Sequence, residues 1–222
     1  MCCIIRAVAA TENTVPVMRH TEKGITMRDS RIRLIAEIGL AVALSIALNA
    51  VFTLLVPIGM PFGGSLSLNM LPIILLALMR GPFVGVITGV LVGFSDLMFD
   101  PFVISIPQML LDYPVAYGLV GLAGLFALRP ERVQQLGEGH SPTIAKLMTY
   151  AVLGVLVGSL ARLGSHVLSG VIFFGQYAPE AQNIWLYSLV YNLTFMGPNM
   201  ILAAILAAVT FPVVYRFVIA SD

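Results

Sequence analysis

Residues 144–168 read IAKLMTYAVLGVLVGSLARLGSHVL, a run interrupted only by Lys146, Arg162 and His166. A bilayer core needs about 20 helical residues, and this stretch supplies them. Arg162 and His166 stand four apart and share one helix face. Five further apolar stretches flank it: Leu34–Val56, Leu66–Met79, Phe83–Phe99, Ile104–Leu128 and Ile184–Phe217. The composition agrees, with 59% hydrophobic residues, 10% charged residues and a mean hydropathy of +0.96. A soluble domain does not carry such a balance. The fold class expected is an all-α membrane protein, a six-transmembrane-helix bundle.

Leu66–Met79 is too short to cross upright alone, so it is expected to recruit Gly63–Ser65 or to sit re-entrant within protein. The last stretch contains Pro198 and Pro212, which predicts a kink or a tilt. Charge sets the direction. With the N-terminus inside, the inner segments carry Arg28, Arg31, Arg33, Arg80, Arg129, Arg132, Lys146 and Arg216. The outer segments Pro57–Ser65, Asp100–Val103 and Ser169–Asn183 carry neither Lys nor Arg. The positive-inside rule then places both termini in the cytoplasm and the chain in the cell membrane as a multi-pass protein.

Residues 1–27 differ in character and are expected to be a disordered extension or an over-early start, with 28–222 as the integral membrane domain. Cys2 and Cys3 are the only cysteines, which leaves no disulfide framework or metal cluster to infer. No P-loop, H-E-x-x-H or G-x-S-x-G motif occurs. A net charge of +1 without a basic, aromatic-interleaved patch argues against nucleic acid.

Ionisable residues inside spans are costly, and each starts as a functional hypothesis. They are Glu37, Asp96, Asp112, Arg162 and His166. Glu37 is close enough to the inner interface to reach it or to pair with Arg33. The other four share a depth below the outer surface, with Tyr187, Tyr191 and Asn192 of the last span and Phe173, Phe174, Gln176 and Tyr177 before it. Asp112 and Arg162 could neutralise each other, and Trp185, Tyr187 and Tyr191 could form an interfacial aromatic belt. A few polar groups converging in an apolar concavity make a small-molecule site. One carboxylate, an imidazole, a carboxamide and aromatic faces suit a flat, cationic heterocycle bearing amine donors. Gly39, Ala43 and Ala47 form a small-residue stripe on the first span, fit for close packing within the bundle or for docking a membrane partner.

Several motifs resemble the thiamine-specific substrate-binding (S) component of energy-coupling factor transporters, a vitamin-uptake branch of the ABC superfamily. They are Gly63-Gly64-Ser65-Leu66-Ser67, Met70-Leu71-Pro72-Ile73, Leu110-Leu111-Asp112-Tyr113-Pro114 and Gly121-Leu122-Ala123-Gly124. The most specific run is Gly158-Ser159-Leu160-Ala161-Arg162 through His166 and Phe173-Phe174-Gly175 to Trp185–Asn192. The resemblance implies thiamine contacts from Asp112, His166, Tyr187 and Asn192 and a stacking face from Phe174. Arg162, Tyr113 and Tyr191 are further candidates. It also implies a ligand near the outer face capped by about Pro57–Ser65, no cofactor and no enzyme activity. The implied partners are a transmembrane coupling subunit, docked on Gly39, Ala43 and Ala47, and two ATPases. Several family members carry Glu at the position of Asp112, and some carry Trp at that of Phe174. Other readings are an S component for another vitamin or precursor, a proton-coupled secondary transporter using Asp112 and His166, and an intramembrane enzyme. The last lacks a paired-carboxylate or metal-ligand arrangement.

Overall fold

The computed structural model describes residues 19–56, 59–60, 64–99, 101–129 and 142–221. The chain divides into two units, one ending at Ala36 and one comprising Glu37–Asp222. In the first, the described backbone is helical from Arg19 onward. Residues 1–18, most of the expected N-terminal extension, lie outside the described residues, as do 57–58, 61–63 and Arg132. Everything below concerns the second unit.

The helices are α1 (Arg19–Leu55), α2 (Met70–Arg80), α3 (Pro82–Phe99), α4 (Ile106–Phe126), α5 (Ile144–Phe173) and α6 (Ile184–Ser221). All except α2 are long and apolar enough to span a bilayer. The expected stretches and the observed helices coincide closely at α3, α4 and α6. The last runs as one helix through Pro198 and Pro212.

Local chemistry explains the joints. At Arg80-Gly81-Pro82, Gly81 takes φ +99° and its N–H bonds the Ala77 carbonyl, ending α2. Positive φ is nearly free for glycine, and Pro82 then suits the first position of α3. In α4 the helix widens over Leu111–Val115, where Pro114 has no N–H to offer. The Ala116 N–H reaches back five residues to the Leu111 carbonyl, a π-helical bond.

The core surrounds α2. Met70, Ile73, Ile74, Ala77 and Leu78 are buried against Val120 of α4, Leu147, Ala151 and Val155 of α5, and Ala207, Phe211 and Tyr215 of α6. Glycines set the helix spacing. A Cβ at Gly89 of α3 would meet the Tyr117 carbonyl group and lie 3.0 Å from the Gly118 Cα of α4. A Cβ at Gly158 of α5 would lie 2.6 Å from the Val120 carbonyl oxygen. Close backbone approach of this kind is how small residues pack helices where no hydrophobic force joins them.

The outer faces are apolar, with Leu40, Val51 and Leu54 of α1 and Ile201, Ile205 and Val213 of α6 exposed. That distribution suits lipid contact. Gly39, Ala43 and Ala47 are also exposed, and a Cβ at Gly39 would meet nothing within 4 Å. Among the described residues the stripe faces outward. Glu37 accepts two bonds from Arg80, at 2.6 and 2.7 Å, joining α1 to the end of α2. Bidentate Arg–carboxylate geometry is the strongest form of such a pair.

Candidate ligand-binding site

All eight candidate residues, Asp112, Tyr113, Arg162, His166, Phe174, Tyr187, Tyr191 and Asn192, line one cavity of about 330 Å³. That volume falls in the range of small-molecule sites. Gly59, Met60, Gly64 and Ser65 also line it, so the described part of the expected cap borders the cavity.

Asp112 is the hub of the middle layer. Its Oδ1 lies 3.0 Å from His166 Nδ1, and its Oδ2 accepts from Gln108 Nε2 and Ser169 Oγ, each at 2.7 Å. Arg162 donates from Nε to His166 Nε2 at 3.3 Å. A guanidinium only donates, so Nε2 is the acceptor and Nδ1 carries the proton given to Asp112. Arg162 and Asp112 are thus linked through the imidazole between them, not by the direct pair considered above. Gln108 extends the network upward. It accepts from the Ile104 N–H at 3.0 Å and donates to the Phe102 carbonyl at 3.0 Å, while the Phe102 N–H bonds Tyr113 Oη at 2.7 Å. One side of the cavity mouth is thereby wired to Asp112. Ser165 Oγ donates to the Leu111 carbonyl at 2.7 Å, joining α5 to the π-helical turn itself.

On α6, Asn192 Nδ2 bonds the Ser188 carbonyl at 2.8 Å, which fixes the carboxamide at the cavity wall. Ser188 Oγ in turn bonds the Val167 carbonyl at 2.8 Å. Aromatic rings flank this polar layer. Tyr187 and Tyr191 stack in tilted fashion at 6.4 Å, and Phe195 meets both Tyr191 and His166 edge-on. Across the cavity Phe174 faces Phe102 at 6.0 Å. Trp185 is exposed and takes no part in the lining, whereas Tyr187 and Tyr191 line the cavity.

Below lies a second polar layer. Tyr117 Oη donates to Asp96 Oδ2 at 2.9 Å and accepts from Asn69 Nδ2. The Arg162 guanidinium sits 4.0 Å over the Tyr117 ring, a cation–π contact, with only 5% of its surface exposed. Asn199 of α6 accepts from the Ser67 N–H and donates to the Ser65 carbonyl, both at 2.9 Å, which clamps the non-helical strand leading into α2.

Residues the sequence reading left out of the site are Asn69, Tyr117, Gln108 and Ser169, while Asp96 was grouped with it by depth and not among the expected ligand contacts. Two had a signal: Gln108 stands four before Asp112, and Ser169 three after His166. Ser169 was placed in the outer segment Ser169–Asn183, but α5 continues to Phe173 and carries it. No helix breaker stops α5 at Leu168. Tyr117, five beyond Asp112, would leave its face in a regular helix, and the π-helical turn changes that phase.

A membrane-embedded helical bundle that encloses a ligand-sized cavity with converging polar groups is the architecture of a small-molecule binding or transport subunit. Comparison with known proteins is more specific. A family model described as thiamine transporter protein matches residues 35–218. Thiamine transporter ThiT of Bacillus subtilis is 38% identical over 181 residues, 81% of this chain and 90% of that one. Thiamine transporter ThiT of Lacticaseibacillus paracasei is 31% identical over 161 residues, 71% of this chain and 78% of that one. A solved structure of ThiT from Listeria monocytogenes shares the fold, with TM-score 0.67 and 22% identity, covering 83% of this chain and 96% of that one. The chain belongs to the ThiT thiamine transporter family, the S components of energy-coupling factor transporters to which its motifs pointed. It is a multi-pass membrane protein of a transporter family, not of an enzyme family.

Proposed function

We propose that this chain captures thiamine in the described cavity near the outer face and releases it inward only when joined to a coupling subunit and two ATPases. The observation that carries the reading is the convergence of the eight candidate residues on one cavity in a chain of this family. Asp112, oriented by three donors, presents a carboxylate edge to the aminopyrimidine. Asn192 Oδ1 and the Tyr187 hydroxyl supply further polar contacts, and Phe174 supplies a face for a ring. The exposed Gly39, Ala43 and Ala47 are the docking stripe for the coupling subunit. The experiment is uptake in cells with and without the partner subunits. Purified chain binds thiamine, but accumulation requires the partners, and Ala43→Phe or Ala47→Phe abolishes accumulation while binding persists. Uphill uptake into vesicles by the chain alone, driven by a proton gradient, would contradict the reading.

We also infer six crossings with both termini cytoplasmic. At about 1.5 Å per residue, α2 alone covers only about 16 Å. The strand Ser65–Asn69 before it, clamped by Asn199 and Asn69–Tyr117, can add up to about 3.3 Å per residue. Together they suffice for a core of about 30 Å. Non-helical backbone is tolerated at membrane depth where protein surrounds it. Reporter fusions after Arg129 and after Asp222 are both expected to read inside. An outside signal at the C-terminus removes the sixth crossing.

A further inference from the structure

Gln108 lines the cavity, yet its donors and its acceptor are already engaged within the protein. It is 1% exposed, and its Oε1 accepts from the Ile104 N–H at 3.0 Å. Its two amide protons go to the Phe102 carbonyl at 3.0 Å and to Asp112 Oδ2 at 2.7 Å. These partners fix the way the amide points, since the reverse would set an oxygen against two acceptors. The local sequence explains the placement. Ser105-Ile106-Pro107-Gln108 has the form of a capping box, and Ser105 Oγ accepts from the Gln108 N–H at 3.3 Å. The return bond of the box runs to Ile104, one residue further out than usual. The amide nitrogen then meets Asp112, four residues on and on the same face. No other side chain of that length accepts one bond and donates two. Glutamate only accepts, lysine only donates, and methionine scarcely does either.

Two parts of the cavity wall depend on this one amide. Asp112 is the first. Phe102 is the second, held at its carbonyl by Gln108 and at its N–H by Tyr113 Oη, with its ring 6.0 Å from that of Phe174. We propose that Gln108 is a positioning residue, which keeps the Asp112 carboxylate and the Phe102–Phe174 wall in register so that a ligand meets both at once. The inference rests on the thiamine reading of the cavity. Ser169 supplies the comparison. Its Oγ donates to the same Oδ2 at the same 2.7 Å, but from α5 and with no part in the bonds to Phe102 and Ile104.

The test is equilibrium binding of thiamine to purified full-length protein. Gln108→Met keeps the length, removes all three side-chain bonds and should lower affinity at least roughly tenfold. Ser169→Ala, which costs Asp112 one donor, should lower it roughly two- to fivefold. Phe102→Ala should lower it roughly three- to tenfold. Combined with Phe102→Ala, Gln108→Met should cost no more than Ser169→Ala does, because the wall it positions is gone. Equal losses in Gln108→Met and Ser169→Ala would make Gln108 a donor to Asp112 only and overturn the proposal. An excess loss that persists alongside Phe102→Ala overturns it as well. So does a lowered melting temperature with thiamine affinity unchanged, the mark of a purely structural role. Should Gln108→Met fail to fold, Phe102→Ala decides: a loss of the stated size supports the proposal, and unchanged affinity overturns it. Wild type that binds no thiamine overturns the reading of the cavity itself, an outcome distinct from all of these.

Discussion

Asp112→Asn is expected to weaken thiamine binding by about 10- to 150-fold, the loss of one charge-assisted hydrogen bond. The surroundings explain why so small a change matters. Both carboxylate oxygens accept, Oδ1 from His166 and Oδ2 from Gln108 and Ser169. An amide nitrogen at Oδ2 would face the Gln108 Nε2 donor, which cannot turn without releasing the Phe102 carbonyl and the Ile104 N–H. At Oδ1 it would face the His166 proton. The imidazole could shift that proton to Nε2 only against the Arg162 Nε–H. Either placement leaves a buried donor without an acceptor, at a cost of about 1–3 kcal/mol. Part of the effect therefore falls on the ligand-free protein. Thermal stability measured without thiamine, beside affinity, separates the two contributions. A stable Asp112→Asn protein with unchanged affinity would remove Asp112 from the site.

Gly89→Val should be strongly damaging although it adds no polar group. The added Cβ would overlap the Tyr117 carbonyl group, where backbone cannot yield as a side-chain tip can. Overpacking a well-filled core costs about 1–3 kcal/mol, and a clash with backbone belongs at the upper end. The α3–α4 contact would have to open beside Tyr117, whose hydroxyl holds Asp96 and whose ring lies under Arg162. Apparent melting temperature in detergent should fall by several degrees, and thiamine affinity should fall with it. Gly39→Val is the matched control, since its Cβ meets nothing within 4 Å. A Gly89→Val protein as stable as Gly39→Val would show that α3 and α4 are not packed this closely.

The legibility of this fold follows from its solvent. A bilayer demands long apolar helices and sorts positive charge to one side, and both leave marks in a sequence. Ile184 and Phe99 bound helices where apolar runs start and stop. The second stretch, Leu66–Met79, was legible as apolar but not as 11 helical residues, Met70–Arg80, after a clamped strand. The clamp is tertiary, from Asn199, and leaves no local trace. The site divides the same way. Residues on one face at i, i+4 spacing, such as Arg162 with His166, could be grouped from spacing alone. The link from Asp112 through His166 to Arg162, and the inclusion of Tyr117, depend on the π-helical turn at Pro114. Periodicity at 3.6 residues cannot anticipate that turn. Ser169 was lost to a helix end drawn five residues early.

The most direct measurement is equilibrium binding of thiamine to the detergent-purified chain, without partner subunits, compared with riboflavin and biotin. The account predicts saturable one-to-one binding of thiamine, weakened by Asp112→Asn, and no binding of the other two vitamins. Riboflavin or biotin bound as tightly as thiamine, or thiamine bound equally well by Asp112→Asn, would contradict it.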